Sequence, residues 1–182
     1  MLTEFVIRFC SPTLAGLKVS NLFSCKYTDI MDIENEVERL NKLLNIKGIF
    51  FRILRTRDNI ALIYVYRKSK LRDTLNCKHV RGFLETYGYE KFQINDCISL
   101  LQEHLVNEDF PHEIGIFLGY PLSDVIAFIE NKGKHSKHTG CWKVYTNEEE
   151  AKKIFARFDK CTEVYRKCFG EGSDLIKLAI AR

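Results

Sequence analysis

The stretch from Pro111 to Pro121 constrains the fold of this chain more than any other part of the sequence. From Ile114 to Gly119, aliphatic side chains alternate with glycine or phenylalanine, which is the two-residue period of a β-strand. Pro121 suits the first position of a following helix, and Gly133 would close that helix. The apolar face of this predicted helix comprises Leu122, Val125, Ile126 and Ile129.

The remainder of the C-terminal half repeats this order. A strand is predicted from Cys141 to Tyr145. Asn147 and the three glutamates after it are typical of a helix start, because the asparagine can cap backbone amides and the anions face the positive end of the helix dipole. That helix should run to about Phe169, so the second half is predicted to form strand, helix, strand and helix.

The first half is predicted to contribute a hairpin. Two β-branched and aromatic runs, Gly48–Leu54 and Ile60–Tyr66, flank a turn-forming segment at residues 55–59. Asn21–Tyr27 alternates like a short strand, whereas the apolar residues 2–9 are too few to assign. We therefore predict an α+β fold in a single domain, residues 1–182. Its mixed sheet has about five strands, from the hairpin and the C-terminal strand-helix-strand-helix unit, and packs against helices.

Predicted helices fill the rest of the first half. Asp29 or Asp32 should cap a helix that runs to about Leu44, because apolar residues recur there at helical spacing. Apolar residues at the same spacing predict further helices over residues 80–87 and 94–105.

Charge and cysteine content narrow the class of protein. The net charge of +4 comes from 28 basic and 24 acidic residues that are well mixed, which argues against a nucleic-acid partner. Seven widely spaced cysteines do not suggest a secreted disulfide framework. Glu4 and Arg8 interrupt the apolar N-terminal run, and no uncharged run approaches the ~20 residues of a membrane span. We expect a cytoplasmic protein without an export signal or a membrane partner.

The central stretch also carries a resemblance. Together with Gly140–Tyr145, Ser11–Lys18 and Ala61–Arg67, it resembles a family of short proteins of unknown function from anaerobic Firmicutes, labelled DUF3793. The likeness runs through nearly the whole chain in the expected order. The resemblance implies a cytoplasmic bacterial protein of about this length. It implies no established activity, cofactor or catalytic residue.

His112 and Glu113 are the first candidate site. A histidine beside a carboxyl group suits general acid/base catalysis. Neighbours on a strand point to opposite faces, however, and residues 109–112 could equally form a loop. Cys10 is a candidate nucleophile if it lies at a helix N-terminus, where the pKa of a thiol falls. A buried, inert thiol is the alternative for Cys10.

The turn Gly119–Tyr120–Pro121 is the second candidate. It would lie at the C-terminal end of the predicted strand and open onto a helix N-terminus, where α/β proteins bind ligands and amides attract anions. A plain tight turn is the alternative. His112 would sit roughly 20 Å away at the other end of that strand, at ~3.3 Å per residue, so the two features would not share a site.

The loop after the predicted helix is the third candidate. Its three lysines, which could contact a phosphate or an acidic partner, are Lys132, Lys134 and Lys137. His135, His138 and Cys141 have a spacing that could supply metal ligands, but a fourth ligand is not evident and the lysines would repel a cation. We therefore predict no metal site, and a merely solvated loop is the alternative to a binding loop.

We expect a binding or accessory module whose surface combines this loop with Gly119, Tyr120 and Trp142. Its ligand would be a small anion, a cofactor or an acidic protein. One alternative is a small enzyme in which His112 acts as general acid/base with Cys10 or Glu113. The other is a protein with a metal, haem or redox role, in which His and Cys side chains serve as ligands.

Overall fold

The computed structural model describes residues 2–107 and 110–181. In this part of the chain the helices are α1 (Leu2–Leu14), α2 (Ile30–Leu44), α3 (Lys68–Asn76), α4 (Lys78–Glu85), α5 (Ile94–Asn107), α6 (Ile114–Phe117), α7 (Leu122–Glu130), α8 (Glu148–Gly170) and α9 (Leu175–Leu178). The strands are β1 (Ser20–Lys26), β2 (Ile49–Arg57), β3 (Ile60–Arg67), β4 (His138–Thr139) and β5 (Lys143–Val144). Among these helices, none is both long enough and apolar enough to cross a membrane.

The main sheet has three antiparallel strands in the order β1-β3-β2. Strands β2 and β3 form the predicted hairpin, and β2 extends further than expected, to Arg57. Asp58 and Asn59 make the turn with φ angles of 50° and 58°, as the tight turns that suit hairpin twist require at both central positions. The predicted short strand near Asn21–Tyr27 is also confirmed, as β1.

Helices cover both faces of this sheet. Side chains such as Phe23, Phe51 and Ile63 point into one core, against α1, α2 and α9. Leu62 and Tyr64 point into the other core, against helices α3 to α7. Because β3 is central and covered on both faces, its residues 61–67 are all buried. The fold is therefore α+β, as predicted.

Helix starts largely follow the predicted chemistry. The Asp29 side chain caps α2 by accepting from Met31 N at 2.9 Å. The Asn147 side chain caps α8 by accepting from Glu150 N at 3.2 Å. Each satisfies a backbone N–H that has no partner within the first turn.

Residues 2–9, too few to assign from sequence, belong to α1. The end of this helix is held by Arg67, which is 1% exposed. Arg67 donates to Thr13 O and Leu14 O, two carbonyls of the last turn, and also to Ile180 O near the C-terminus. The guanidinium of Arg67 thus connects β3, the central strand of the main sheet, with the end of α1 and with the C-terminal segment.

The predicted strand from Ile114 to Leu118 is wrong. These residues form α6, in which Ile116 N donates to Glu113 O and Leu118 N donates to Ile114 O, both at 2.9 Å. The alternation seen in the sequence separates no buried face from an exposed one, because residues 113–118 are all buried. Ser20 Oγ and Tyr64 Oη both donate to Phe117 O at 2.7 Å and so anchor this helical turn to the sheet.

The single mixed sheet of about five strands is not what the structure contains. The C-terminal strands β4 and β5 have two residues each and pair with one another as a separate antiparallel sheet. The strand predicted over Cys141–Tyr145 is reduced to Lys143–Val144. With α6 in place of the predicted strand, no strand in the described part of the C-terminal region pairs β4 or β5 with the main sheet.

Candidate functional site

A cavity of about 300 Å³ is lined by residues of α6, α7 and the β4–β5 hairpin. Most of its lining is apolar, and its aromatic members are Phe110, His112, Tyr120, Phe128 and Trp142. We call it the aromatic cavity. Two ring pairs shape it. Tyr120 stacks on Trp142 with 5.2 Å between ring centroids, and His112 meets Phe128 edge-on, also at 5.2 Å.

The hairpin side of the cavity is fixed by Asp124 in the first turn of α7. This carboxyl group is 3% exposed and accepts the indole N–H of Trp142 at 2.8 Å. Its other oxygen accepts from Tyr145 N, Thr146 N and Thr146 Oγ1 at 2.9–3.0 Å. Asp124 therefore orients the tryptophan ring and holds the chain after β5 against α7.

Lys143 connects β5 with the loop that follows α7. Its Nζ donates to Gly133 O at 2.6 Å and lies 5.8 Å from the ring centroid of Phe128. Gly133 has φ of 70°, a left-handed conformation in the turn after α7. Lys143 lines the aromatic cavity, which its position in a predicted strand did not indicate.

His112 and Tyr120 line the same cavity, contrary to the separation of roughly 20 Å expected of a strand. A helix rises only ~1.5 Å per residue, so α6 keeps its two ends close together. At its end, Gly119 N donates to Ile116 O and Tyr120 N donates to Gly115 O, both at 2.9 Å, with Gly119 at φ of 74°. The predicted strand-to-helix turn is thus a glycine-terminated helix end.

The Glu113 side chain pairs with His104 and does not line the aromatic cavity with His112. Its carboxyl group is 1% exposed, and Oε1 lies 2.7 Å from His104 Nδ1 on α5 and 3.4 Å from the Tyr89 hydroxyl. Within the described chain, neither Glu113 nor His104 is among the residues that line the aromatic cavity. Sequence reasoning missed His104, whose place on a helix suggested no partner nine residues further along.

Cys10 lies in the interior of α1, not at a helix N-terminus as the nucleophile hypothesis requires. Its side chain is fully buried, and burial raises the pKa of the thiol well above its ordinary value of 9.0, although the nearby Lys18 charge lowers it by a smaller amount. The reactive thiolate is therefore disfavoured at Cys10. The alternative, a small buried hydrophobe, agrees with this position.

The basic loop does not contribute to the cavity. Its exposed lysines Lys132, Lys134 and Lys137 are absent from the described lining residues, and Lys137 Nζ donates to Thr146 O at 3.0 Å. In the described ranges, no group of three or more His, Cys, Asp or Glu side chains is arranged to hold a metal ion, and His135, His138 and Cys141 are no exception. His138 instead stacks on Phe155 at 5.9 Å.

A second cavity, of about 290 Å³, adjoins the first at Trp142, which lines both. Gly119 and Pro121 of the predicted turn also line it. Its three cationic lining residues are Lys18, Lys70 and Arg157, and we call it the cationic cavity. These residues come from the segment after α1, from α3 and from α8, so their convergence is visible only in the fold.

Lys18 is the most unusual member of the cationic cavity. Its side chain is 8% exposed, and Nζ lies 5.4 Å from the ring centroid of Tyr120 and 5.9 Å from that of Phe158. Burial lowers the pKa of this ammonium from its ordinary value of 10.5, while the thiols of Cys141 and Cys10 raise it by smaller amounts. No sequence pattern marked Lys18, because lysine is normally exposed.

Comparison with known proteins identifies the family. Neither the curated proteins nor the solved structures include a match to this chain. A family model described as a protein of unknown function, DUF3793, matches residues 6–179, a range that includes all of the residues lining both cavities. The chain therefore belongs to the DUF3793 family, as the resemblance of its central stretch predicted.

Proposed function

We propose that this protein is a binding module whose aromatic cavity holds a small molecule with an apolar or aromatic body. The observation that carries the proposal is the cavity of about 300 Å³ with aromatic rings on several sides. That volume lies at the lower end of the range for ligand pockets, which are mostly apolar with a few placed polar groups. A single substituted ring or a short branched chain fits this size.

The polar groups of the cavity restrict where a ligand could be hydrogen-bonded. Both oxygens of Asp124 already accept protein donors, so this side chain acts as a support for the cavity. The Thr139 hydroxyl lies 3.3 Å from Ser136 Oγ, whereas His112 is exposed and lines the cavity, so its imidazole is available to a ligand. We infer a ligand with one hydrogen-bonding group on an otherwise apolar body.

Binding is better supported than catalysis. Of the three predicted catalytic side chains, His112 alone is among the described residues lining the aromatic cavity. Glu113 is paired with His104, and Cys10 is buried within α1. General acid/base catalysis needs a second group within reach of the same substrate, and the enzyme alternative would have to find it outside this predicted set.

We also propose a cellular compartment, a partner surface and a domain organisation for this module. All seven cysteines lie in the described part of the chain and none forms a disulfide, which is consistent with a reducing cytoplasm in a bacterial cell. The exposed lysines of the loop, Lys132, Lys134 and Lys137, leave a surface for an acidic partner protein. We also infer a single domain, which is supported by the two hydrophobic cores that share the main sheet.

The experiment uses benzyl alcohol as a neutral aromatic probe. Trp142 is the only tryptophan of the chain and lines the cavity, so its fluorescence reports directly on occupancy. Binding is measured by Trp142 emission and by NMR amide shifts, in the wild type and in the Phe128→Ala variant. Phe83→Ala is the matched control, since Phe83 is also a half-buried ring on a helix, α4, but packs against Tyr87 in the turn after that helix.

The proposal predicts saturable binding that Phe128→Ala weakens by about tenfold, while Phe83→Ala leaves it unchanged, because Phe128 supplies one wall of the cavity. Amide shifts should concentrate in α6, α7 and the hairpin. Shifts scattered over the surface, or equal effects of the two variants, would overturn the assignment of this cavity as the site.

A further inference from the structure

We propose that the cationic cavity is a second binding site, which takes an oxyanion such as a phosphate or carboxylate group against the ammonium of Lys18. This site is separate from the one proposed for an apolar ligand. It takes ligands of a different class, and it stands on the arrangement of Lys18, Lys70 and Arg157.

Lys18 is a buried cation that lacks an anionic partner. Lys18 is 92% buried, and within the described residues its Nζ has no hydrogen-bond or ion-pair partner, although the ammonium itself keeps some contact with solvent. The faces of Tyr120 and Phe158 stabilise the ammonium in part, at centroid distances of 5.4 and 5.9 Å. Transferring a lysine from water into such a site is costly unless an anion is present, so an oxyanion is the chemical partner that the site lacks.

The thiols near Lys18 do not fill that role. Cys141 and Cys10 are the two groups whose charges would act on it most directly. Desolvation raises the pKa of both thiols above 9.0, so both remain protonated at neutral pH. Neither thiol therefore supplies a negative charge opposite Lys18.

The other charges around the cavity favour an anion. Lys70 and Arg157 line it together with Lys18, and Glu150 is the one acidic side chain among its lining residues in the described chain. Glu150 is exposed, and no ion pair in the described ranges joins it to these cations. Three cations against one carboxyl group leave a positive field, and Arg157 adds a planar fork that suits phosphate and carboxylate oxygens.

The backbone holds Lys18 in place before any ligand arrives. After α1, Leu17 N and Lys18 N both donate to Pro12 O, at 2.8 and 3.1 Å. Gly16 permits this tight turn with φ of 70°. These bonds fix the main chain, and the rings of Tyr120 and Phe158 confine the side chain, so the ammonium loses little freedom on binding, which increases the affinity for an anion.

The test titrates inorganic phosphate and, separately, acetate into the natively folded protein. Chloride keeps the ionic strength constant, so that general screening does not change between points. Binding is measured by calorimetry and by the NMR shift of the Lys18 side-chain methylene next to Nζ. The variants are Lys18→Met and Arg157→Gln, with Lys134→Met as the matched control on the exposed loop.

The expected result is saturable binding of at least one anion, weakened about tenfold or more by Lys18→Met and about threefold by Arg157→Gln. Lys134→Met should bind as the wild type does. Methionine keeps the apolar stem of Lys18 and removes the buried charge, so the variant should fold. If it does not fold, the comparison of Arg157→Gln with Lys134→Met decides.

The two probes distinguish the source of the oxyanion. Binding of phosphate without acetate assigns the site to phosphate groups, and the reverse assigns it to carboxylates. No binding of either anion up to about 50 mM would overturn the proposal, since a built anion site should reach millimolar affinity. Unchanged affinity in Lys18→Met would overturn it equally. Benzyl alcohol binding in Arg157→Gln reports on the aromatic cavity alone, because Arg157 lines only the cationic cavity, so failure of one proposal is distinguishable from failure of the other.

Discussion

Trp142 Nε1 donates to Asp124 Oδ2 at 2.8 Å, which joins the only tryptophan of the chain to the first turn of α7. Asp124 Oδ1 accepts three further bonds from Tyr145 and Thr146. The β4–β5 hairpin is only two residues long on each side, so this buried carboxyl group supplies much of what holds it against α7. The shape of the aromatic cavity therefore depends on Asp124.

Asp124→Asn should destabilise the fold by about 1–3 kcal/mol, because the amide nitrogen must face at least one donor in place of an acceptor. The Trp142 ring should lose its fixed orientation, and benzyl alcohol should bind more weakly. Urea denaturation measures the first effect and Trp142 fluorescence the second. Asp73→Asn is the control, since Asp73 is exposed on α3 and its contact with Arg72 is long, at 3.9 Å. Equal free energies of unfolding for the two variants would contradict the role given to Asp124.

The pair formed by His104 and Glu113 calls for a separate test. His104→Ala should cost about 2–3 kcal/mol, because Glu113 is 1% exposed and loses the partner that lies at 2.7 Å. Benzyl alcohol affinity should stay unchanged, since neither residue is among the described lining of the aromatic cavity. Thermal and urea denaturation, with His79→Ala on the exposed face of α4 as control, check the first expectation. A loss of benzyl alcohol binding at full stability would place His104 in the ligand site instead.

Local chemistry explains which parts of the fold could be predicted. The hairpin was predictable because Asp58 and Asn59 tolerate the left-handed conformations that its turn requires. The caps of α2 and α8 were predictable because Asp29 and Asn147 each bond to an amide within three residues. In each case the deciding interaction lies within a few positions along the chain.

The segment Ile114–Leu118 could not be assigned correctly from its period, because a short apolar run buried on all sides fits a strand and a helix equally well. The useful signal was Gly119 followed by Pro121, a pair that also marks a helix C-terminus. As a helix end, this pair of residues predicts that His112 and Tyr120 lie close together.

No comparable sequence pattern predicts the cationic cavity. Lys18 and Phe158 are distant in sequence, and their contact depends on α8 packing beside α1. Charged residues scattered along a chain are ordinarily exposed, so nothing in the sequence separated Lys18 from the other basic residues. The basic loop, where lysines cluster in sequence, was the more visible candidate and is the more exposed one.

Gly119→Ala tests the close approach that ends α6. A Cβ at this position would lie 2.6 Å from Val19 Cγ2, and the backbone φ of 74° disfavours any side chain. We expect a loss of about 1–3 kcal/mol in urea denaturation. Adding Val19→Ala should restore only part of that loss, because it removes Cγ2 but keeps Val19 Cβ, which would lie 2.8 Å from the new Cβ, and the conformational part remains.

Gly82→Ala is the matched control for this substitution. Gly82 lies within α4, and a Cβ there would meet nothing within 4 Å. Alanine should therefore stabilise the helix by up to about 1 kcal/mol. If both alanine variants changed stability in the same direction, the strain assigned to Gly119 would not be real.

Lys18 should also leave a signature in the pH dependence of stability. Burial lowers the pKa of its ammonium from 10.5 in the folded protein. Between that lowered pKa and 10.5, the unfolded chain binds a proton at Lys18 that the folded chain does not, so this group makes folding more favourable as pH rises. Below the lowered pKa, Lys18 is charged in both states and its burial penalty is constant.

Lys18→Met removes this contribution, so its stability advantage over the wild type should be greatest at neutral pH and should shrink as pH approaches 10.5. Buried tyrosines such as Tyr64, whose pKa is raised, titrate in both proteins and largely cancel in the difference, whereas the Cys10 and Cys141 thiols interact with Lys18 and cancel only in part. Urea denaturation across this range, in chloride without phosphate, measures the difference directly. Lys134→Met, an exposed lysine, should give a difference that does not change with pH. A constant difference for Lys18→Met as well would mean that the Lys18 ammonium is solvated in the folded protein.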